Sequence, residues 1–340
     1  MFDGVRHVLN AWRRRQAERR LARAVPDTTW REICRPHAAC ATSFRQDATG
    51  GLVVHGASRS VRLPPTENGR ALASAADVLV ELLDVSEASI AWDDAGDVLL
   101  VSQGGAVYPA LSFENLYVLR ELLLAGDYDL RLPAPTLVLD VGANCGFTSV
   151  FLAAANSDAQ IVAVEPLASC HARMTTVLAR NPDLAARIHP AELALLDHDG
   201  ETEVTYVIGR SVETSLVQPE ASRGRPTRTQ TIRLRDAAAF LREQRAAWPG
   251  RPVVLKLDCE GSEGRVLRRL QQTGLLGGVD CVVMEWHRVL ETGGTPDFVV
   301  NLLVGSGFYV HVRHGRDSRA RIGMVVAARG REHVAAEAPR

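Results

Sequence analysis

From residue 136 to residue 328, short uninterrupted apolar runs alternate with segments whose apolar residues recur every three or four positions. Runs that are apolar at every position suit parallel strands covered on both faces, and the intervening periodicity suits helices. Strands are predicted at 136–141, at 160–164, within 187–195, at 253–258 and at 280–285. Helices are predicted at about 146–155, 168–180, 236–247, 262–272 and 297–304. A further strand is read at 202–208, a polar loop at 209–230 and a short extended piece at 231–234. Two closing strands, 308–313 and 322–328, are joined by a polar turn. The pattern predicts an α/β fold built on a mostly parallel, doubly wound sheet with an antiparallel edge.

Before residue 133 the rhythm changes. Residues 26–132 read as a smaller mixed α/β unit, with strand-like runs at 51–55, 88–92 and 98–102 and a helix at 71–83. Turn signals at Thr49-Gly50-Gly51, 93–96 and Gly104-Gly105 punctuate it. A second helix is predicted over 113–124, with Ser112 as N-cap and Gly126 as C-cap. Pro133 and Pro135 separate this unit from a main domain at 133–330, and 331–340 reads as a disordered tail. At the other end, residues 1–25 carry Phe2, Val5, Leu9, Trp12 and Leu21 at helical spacing, with seven arginines against Asp3 and Glu18. A basic amphipathic helix of this kind can lie on an anionic membrane or grip an acidic partner. Its plainer use is as a solvated helix packed on its own domain.

Composition narrows the classes. With 340 residues, 46% of them hydrophobic, the chain can build a large core. A formal net charge of −1 gives no global reason to expect nucleic-acid binding. No apolar run approaches the roughly 20 residues of a membrane span, and the N-terminus lacks the apolar core of a secretory leader. Six cysteines, at 34, 40, 145, 170, 259 and 281, form no Cys-x-x-Cys pair, so the expectation is a reduced, cytoplasmic protein. Of 39 basic residues 38 are arginine, and the one lysine is Lys256.

The chemistry concentrates at the ends of the predicted strands. The first strand ends in Asp140-Val-Gly142-Ala-Asn144-Cys-Gly146, a glycine loop opening a helix. A dinucleotide fingerprint would need glycines where Asn144 and Phe147 stand, and Asp140 would repel a pyrophosphate. A carboxylate there suits a ligand with an ammonium group, such as the methionine end of S-adenosylmethionine. Glu165 ends the second strand nineteen residues after Gly146, the place of an acid that accepts hydrogen bonds from ribose hydroxyls. The fourth strand runs into Lys256-Leu-Asp258-Cys-Glu260-Gly-Ser-Glu263. Strand alternation would put Lys256, Asp258 and Glu260 on one side. The plainer role of Lys256 is a structural pair with a glutamate. The fifth strand brings Glu285 and His287 to the same edge, and a histidine there could take a proton from a substrate hydroxyl.

In this order, Asp-Val-Gly-Ala-Asn-x-Gly, Val-Glu-Pro, Lys-x-Asp-x-Glu-Gly-x-Glu and Glu-x-His resemble the FkbM-type methyltransferase family over roughly residues 114–310. Glu213-Thr-Ser-Leu216 is similar to the family's Ser-Ser-Leu loop, and Leu234-Arg-Asp236 to its Leu-Asp-Asp. Thr214, Arg235 and Gly264 depart from the pattern. The resemblance implies a class I methyltransferase with a Rossmann-like sheet that transfers a methyl group from S-adenosylmethionine to a hydroxyl of a sugar, glycan or polyketide-type natural product. Asp140, Gly142, Asn144, Gly146 and Glu165 are then expected to hold the cofactor. Asp258, Glu260, His287 and Lys256 are expected at the catalytic edge. There the residues leave two roles open: a general base, or Asp258 with Glu260 holding Mg²⁺. Two other readings of the chain are a nicotinamide-dependent sugar oxidoreductase and a silent binding module tethered by the basic helix.

Overall fold

A computed structural model describes residues 15–207, 226–287, 296–314 and 322–330. The chain forms two compact units, Met1–Gly126 and Asp127–Arg340.

In the first unit, residues 15–24 are helical, with Leu21 buried and Arg15, Arg19, Arg20 and Arg23 exposed. Phe2, Val5, Leu9 and Trp12 of the expected amphipathic helix lie outside the described residues, as do the expected tail at 331–340 and the 213–216 loop. Two three-stranded antiparallel sheets follow, Phe44–Gln46 with Leu52–His55 and Ser60–Leu63, and Ser89–Asp93 with Val98–Gln103 and Ala106–Ala110. The helix expected at 71–83 is two helices, Glu67–Ala73 and Ala76–Val85. Ser74 stops the first by turning its hydroxyl onto the Ala71 carbonyl, the back-bonding that makes serine a poor helix interior residue. Arg59 secures the end of the second, donating to the carbonyls of Leu83 and Ser86. The helix Phe113–Arg120 starts on the Ser112 side chain and continues through a π-helical turn, Glu121–Ala125, to a left-handed Gly126.

The second unit is a seven-stranded sheet. Its strands are β1 (Leu137–Val141), β2 (Gln160–Val164), β3 (Ile188–Ala191), β4 (Val253–Leu257), β5 (Cys281–His287), β6 (Tyr309–His314) and β7 (Ile322–Ala328), in the order β6-β7-β5-β4-β1-β2-β3. All neighbouring pairs are parallel except those made by β7. Every residue of β1 and β4 is buried, because helices cover both faces, and the uninterrupted apolar runs reflect that. Leu139, Leu255, Val282, Met284 and Val325 lie at the centre of the core. The chain steps outward from β1 to β3 and then returns to lay β4 on the other side of β1. The β1/β4 junction is therefore the switch point of the sheet, outside whose C-terminal edge ligands lie in such folds. Among the described residues no helix is long and apolar enough to cross a membrane.

Thr227–Asp236 corrects the sequence reading, which placed a loop through 230. It is a ten-residue strand at the centre of a small second sheet, flanked by Ala194–Leu196 and Gly200–Val207. Its first half is exposed on both faces, so its threonines and arginines alternate without an apolar side and resemble a loop. His287 is the last residue of β5, paired with Ile322 of β7.

Asp236 closes that strand and caps the helix Ala237–Ala247, accepting from the Ala239 N–H at 2.8 Å and from Arg269 Nε at 2.6 Å. Burial would raise its carboxyl, but the Ala239 N–H and the Arg269 guanidinium hold it below the usual carboxylate range. Asp236→Ala is expected to cost about 2 kcal/mol in urea unfolding, and Asp236→Asn less, because the amide still caps.

Candidate functional site

Three segments meet at the switch point. The first is the turn after β1. Gly142 adopts φ +78°, and a Cβ there would lie 1.7 Å from the Asp258 carbonyl oxygen, so only glycine lets the two strand ends close on each other. Asn144 also sits in the left-handed region, at φ +48°, which asparagine tolerates better than most side chains. Gly142 and Ala143 donate their amides to the Val164 carbonyl, which pins the loop across the end of β2.

Glu165 completes that pin. Its two carboxylate oxygens accept from the Asn144 N–H at 3.0 Å and the Leu167 N–H at 2.9 Å. Burial pushes its carboxyl up to about 7, against the pull of those two amides and of Lys256. The acid stands where the sequence puts it, at the C-terminal end of β2, and holds the loop from below.

Asp140 is placed differently from the expectation that its carboxylate faces a ligand. It is fully buried beneath the loop, with Lys256 Nζ 3.0 Å from Oδ1 and Ser149 Oγ donating to Oδ2 at 2.6 Å. Lys256 is itself 1% exposed; it also donates to the Gly142 carbonyl at 2.9 Å, and Asp258 Oδ2 lies 3.5 Å away. Burial would lower the lysine's pKa, but the neighbouring Asp140 and Asp258 more than reverse this and keep it charged. The lysine thus has a structural pair, as its plainer reading held, but with aspartates and not with a glutamate.

The third segment is the turn after β4. Strand alternation stops at Leu257: Glu260 takes φ +54° and Gly261 φ +101°, which swings Glu260 toward β5. His287 meets it there. Nδ1 lies 3.0 Å from Glu263 Oε1, and Nε2 lies 3.5 Å from Glu260 Oε2. Asp258, Glu260 and His287 present ligand atoms all within 4.8 Å of one another. Burial would lower the histidine's pKa, but the Glu263 hydrogen bond and the charges of Glu260, Glu263 and Asp258 raise it to about 10. These carboxylates favour the imidazolium at neutral pH over the neutral imidazole that taking a proton from a hydroxyl would require.

Glu263 is the residue the sequence reading passed over. It is 2% exposed and organises the turn, accepting from the Cys259 N–H at 3.0 Å as well as facing His287. It is the last acid of the Lys256–Glu263 block, at the start of a helix, where an acid is common for reasons of the helix dipole alone.

Comparison with known proteins matches the same part of the chain. Residues 140–309, half of the chain, match the methyltransferase FkbM domain. The chain is 29% identical over 234 residues to the AMB antimetabolite synthetase AmbE of Pseudomonas aeruginosa, a match that covers 59% of this chain and 11% of that protein. It is 24% identical over 248 residues to the methyltransferase sdnD of Sordaria araneosa, covering 65% of this chain and 93% of that one. Among solved structures, the methyltransferase FkbM from Methylobacillus flagellatus KT aligns with a TM-score of 0.40 and 15% identity, over 58% of this chain and 44% of that chain. The chain thus spans about a tenth of the first relative and less than half of the solved one.

The imidazolium carries a pH signature. Its pKa is about 10 in the fold against 6.5 for a free histidine, so its contribution to stability is complete below pH 6.5 and disappears as pH rises through 10. The difference in unfolding free energy between the wild type and His287→Gln is expected to narrow over that range, read from urea titrations at successive pH values.

Proposed function

This chain belongs to the FkbM methyltransferase family, and from that membership we propose that it is an S-adenosylmethionine-dependent O-methyltransferase. The proposed acceptor is a hydroxyl of a sugar, glycan or polyketide-type natural product. The observation that carries the reading is the meeting of Asp258, Glu260 and His287 beside the glycine loop, at the sheet's switch point.

The residues present fit the cofactor. Glu165 and the 142–146 loop would hold it: a strand-end carboxylate suits vicinal ribose hydroxyls, and the loop lies across the end of β2. Asp140, held under the loop by Lys256 and Ser149, would support the site from beneath. When bound, S-adenosylmethionine supplies an electrophilic methyl group.

The chain must orient the acceptor hydroxyl and take its proton. With His287 already protonated, that proton falls to a carboxylate, and Glu260 is the better placed. It is partly exposed, and its own geometry is costly: a glutamate in the left-handed region carries on the order of 1 kcal/mol or more of strain, which a fold retains where the side chain is used. Glu263 fixes the imidazolium, and the imidazolium in turn fixes Glu260. Mg²⁺ is the second reading of the same atoms, since three ligand atoms converge. The acid–base reading is preferred because Mg²⁺ favours oxygen ligands and one of the three is an imidazole.

Calorimetric titration tests the cofactor. S-adenosylmethionine and S-adenosylhomocysteine are expected to bind, with affinity weakened about tenfold or more in Glu165→Ala, since hydrogen bonds to a charged group are involved. Binding of NADPH alone would overturn the reading in favour of an oxidoreductase.

Glu260 gives a separate test. Glu260→Gly is expected to keep or raise the melting temperature while lowering methyl transfer to a panel of glycan and polyketide hydroxyls about 100-fold or more. EDTA is expected to leave the wild-type rate unchanged; a loss restored by Mg²⁺ would favour the metal.

A further inference from the structure

We propose that Lys256 is a positioning residue that couples the glycine loop to the turn bearing Asp258 and Glu260, so that one buried ammonium sets both halves of the site. What each half holds rests on the methyltransferase reading; the coupling concerns the chain alone.

The geometry exceeds what charge balance requires. Neutralising Asp140 would take one contact, yet three oxygens surround the ammonium: the Gly142 carbonyl, which accepts its hydrogen bond at 2.9 Å, and the ion-paired Asp140 Oδ1 at 3.0 Å and Asp258 Oδ2 at 3.5 Å. Those oxygens belong to the end of β1, to the loop and to the turn after β4. The Tyr128 ring, 5.7 Å from Nζ, lies on a further side. Loop and turn are also joined by backbone directly above the ammonium. The Asp258 N–H donates to the Val141 carbonyl at 3.0 Å, and Gly142 packs against the Asp258 carbonyl with no room for a Cβ. Any shift of the loop therefore moves the turn, and Lys256 fixes their separation.

The residue type fits the same role. Every other basic position in this chain is arginine. A guanidinium is larger and brings five donors in a rigid planar fork, which does not match three oxygens converging on one point in a site 1% exposed. A compact ammonium sits among them as a point charge.

Lys256→Met, Asp140→Asn, the double variant and Asp258→Ala separate coupling from mere charge balance. The measurements are melting temperature, amide hydrogen exchange at residues 142–146 and S-adenosylhomocysteine affinity. Lys256→Met alone strands the Asp140 carboxylate and is expected to lower the melting temperature sharply. The double variant removes both charges and is expected to recover most of that loss. Its Gly142, Ala143 and Asn144 amides are still expected to exchange about tenfold faster than in the wild type, with affinity weaker by a similar factor, because the donor to the Gly142 carbonyl is gone. Asp258→Ala, which leaves the Lys256–Asp140 pair intact, is expected to speed exchange at the same loop amides although its side chain touches none of them. If the double variant regains wild-type loop protection, or if Asp258→Ala leaves the loop unchanged, Lys256 is a counter-ion and the coupling is overturned. Should the wild type fail to bind S-adenosylhomocysteine, the cofactor reading falls, and the exchange comparison still decides the coupling.

Discussion

The site depends on a carboxylate and an ammonium buried together under a backbone turn. Asp140 and Lys256 face each other across adjacent strands of the sheet, both essentially without solvent. Neither charge could occupy that position alone, since an unpaired buried ion costs several kcal/mol. The arrangement of the loop above them follows. The Gly142 carbonyl is turned down to the ammonium, the neighbouring amides turn outward to Val164, and Glu165 ties the Asn144 amide to the end of β2. The glycine loop is thus held by a charge inside the sheet and by an acid at its rim.

The second half of the site is built by departure from regularity. Strand β4 ends, and the chain enters the left-handed region at Glu260 and Gly261, which turns a carboxylate toward the histidine on β5. Glu263 then locks the imidazole from behind while satisfying the Cys259 amide. Asp258, Glu260 and His287 stay partly exposed, and beside them Lys256 and Glu263 are each almost wholly enclosed.

Much of this was legible in the chain itself. The parallel strands β1, β2, β4 and β5 could be read because burial on both faces leaves no polar position to confuse the pattern. Asp140, Glu165, Asp258, Glu260 and His287 could be placed at one edge because α/β topology brings strand ends together. What could not be read depended on contacts distant in sequence. Asp140 has the spacing of a ligand-facing acid, and only the register of β4 against β1 shows that it faces Lys256. The protonation of His287 follows from three carboxylates gathered by the turn. The first half of the strand Thr227–Asp236 is exposed on both faces and carries no period, so its pairing partners define it.

The burial of Lys256 has a consequence for the surface. It is the only primary-amine side chain in the sequence and is enclosed in the fold, so no lysine ammonium contributes to the positive charge that solvent meets. Acylating enzymes and amine-directed cross-linkers find no lysine on the folded protein. The single ε-amino group becomes reactive only when β1 and β4 part, so its chemical modification would record how often the centre of the sheet opens.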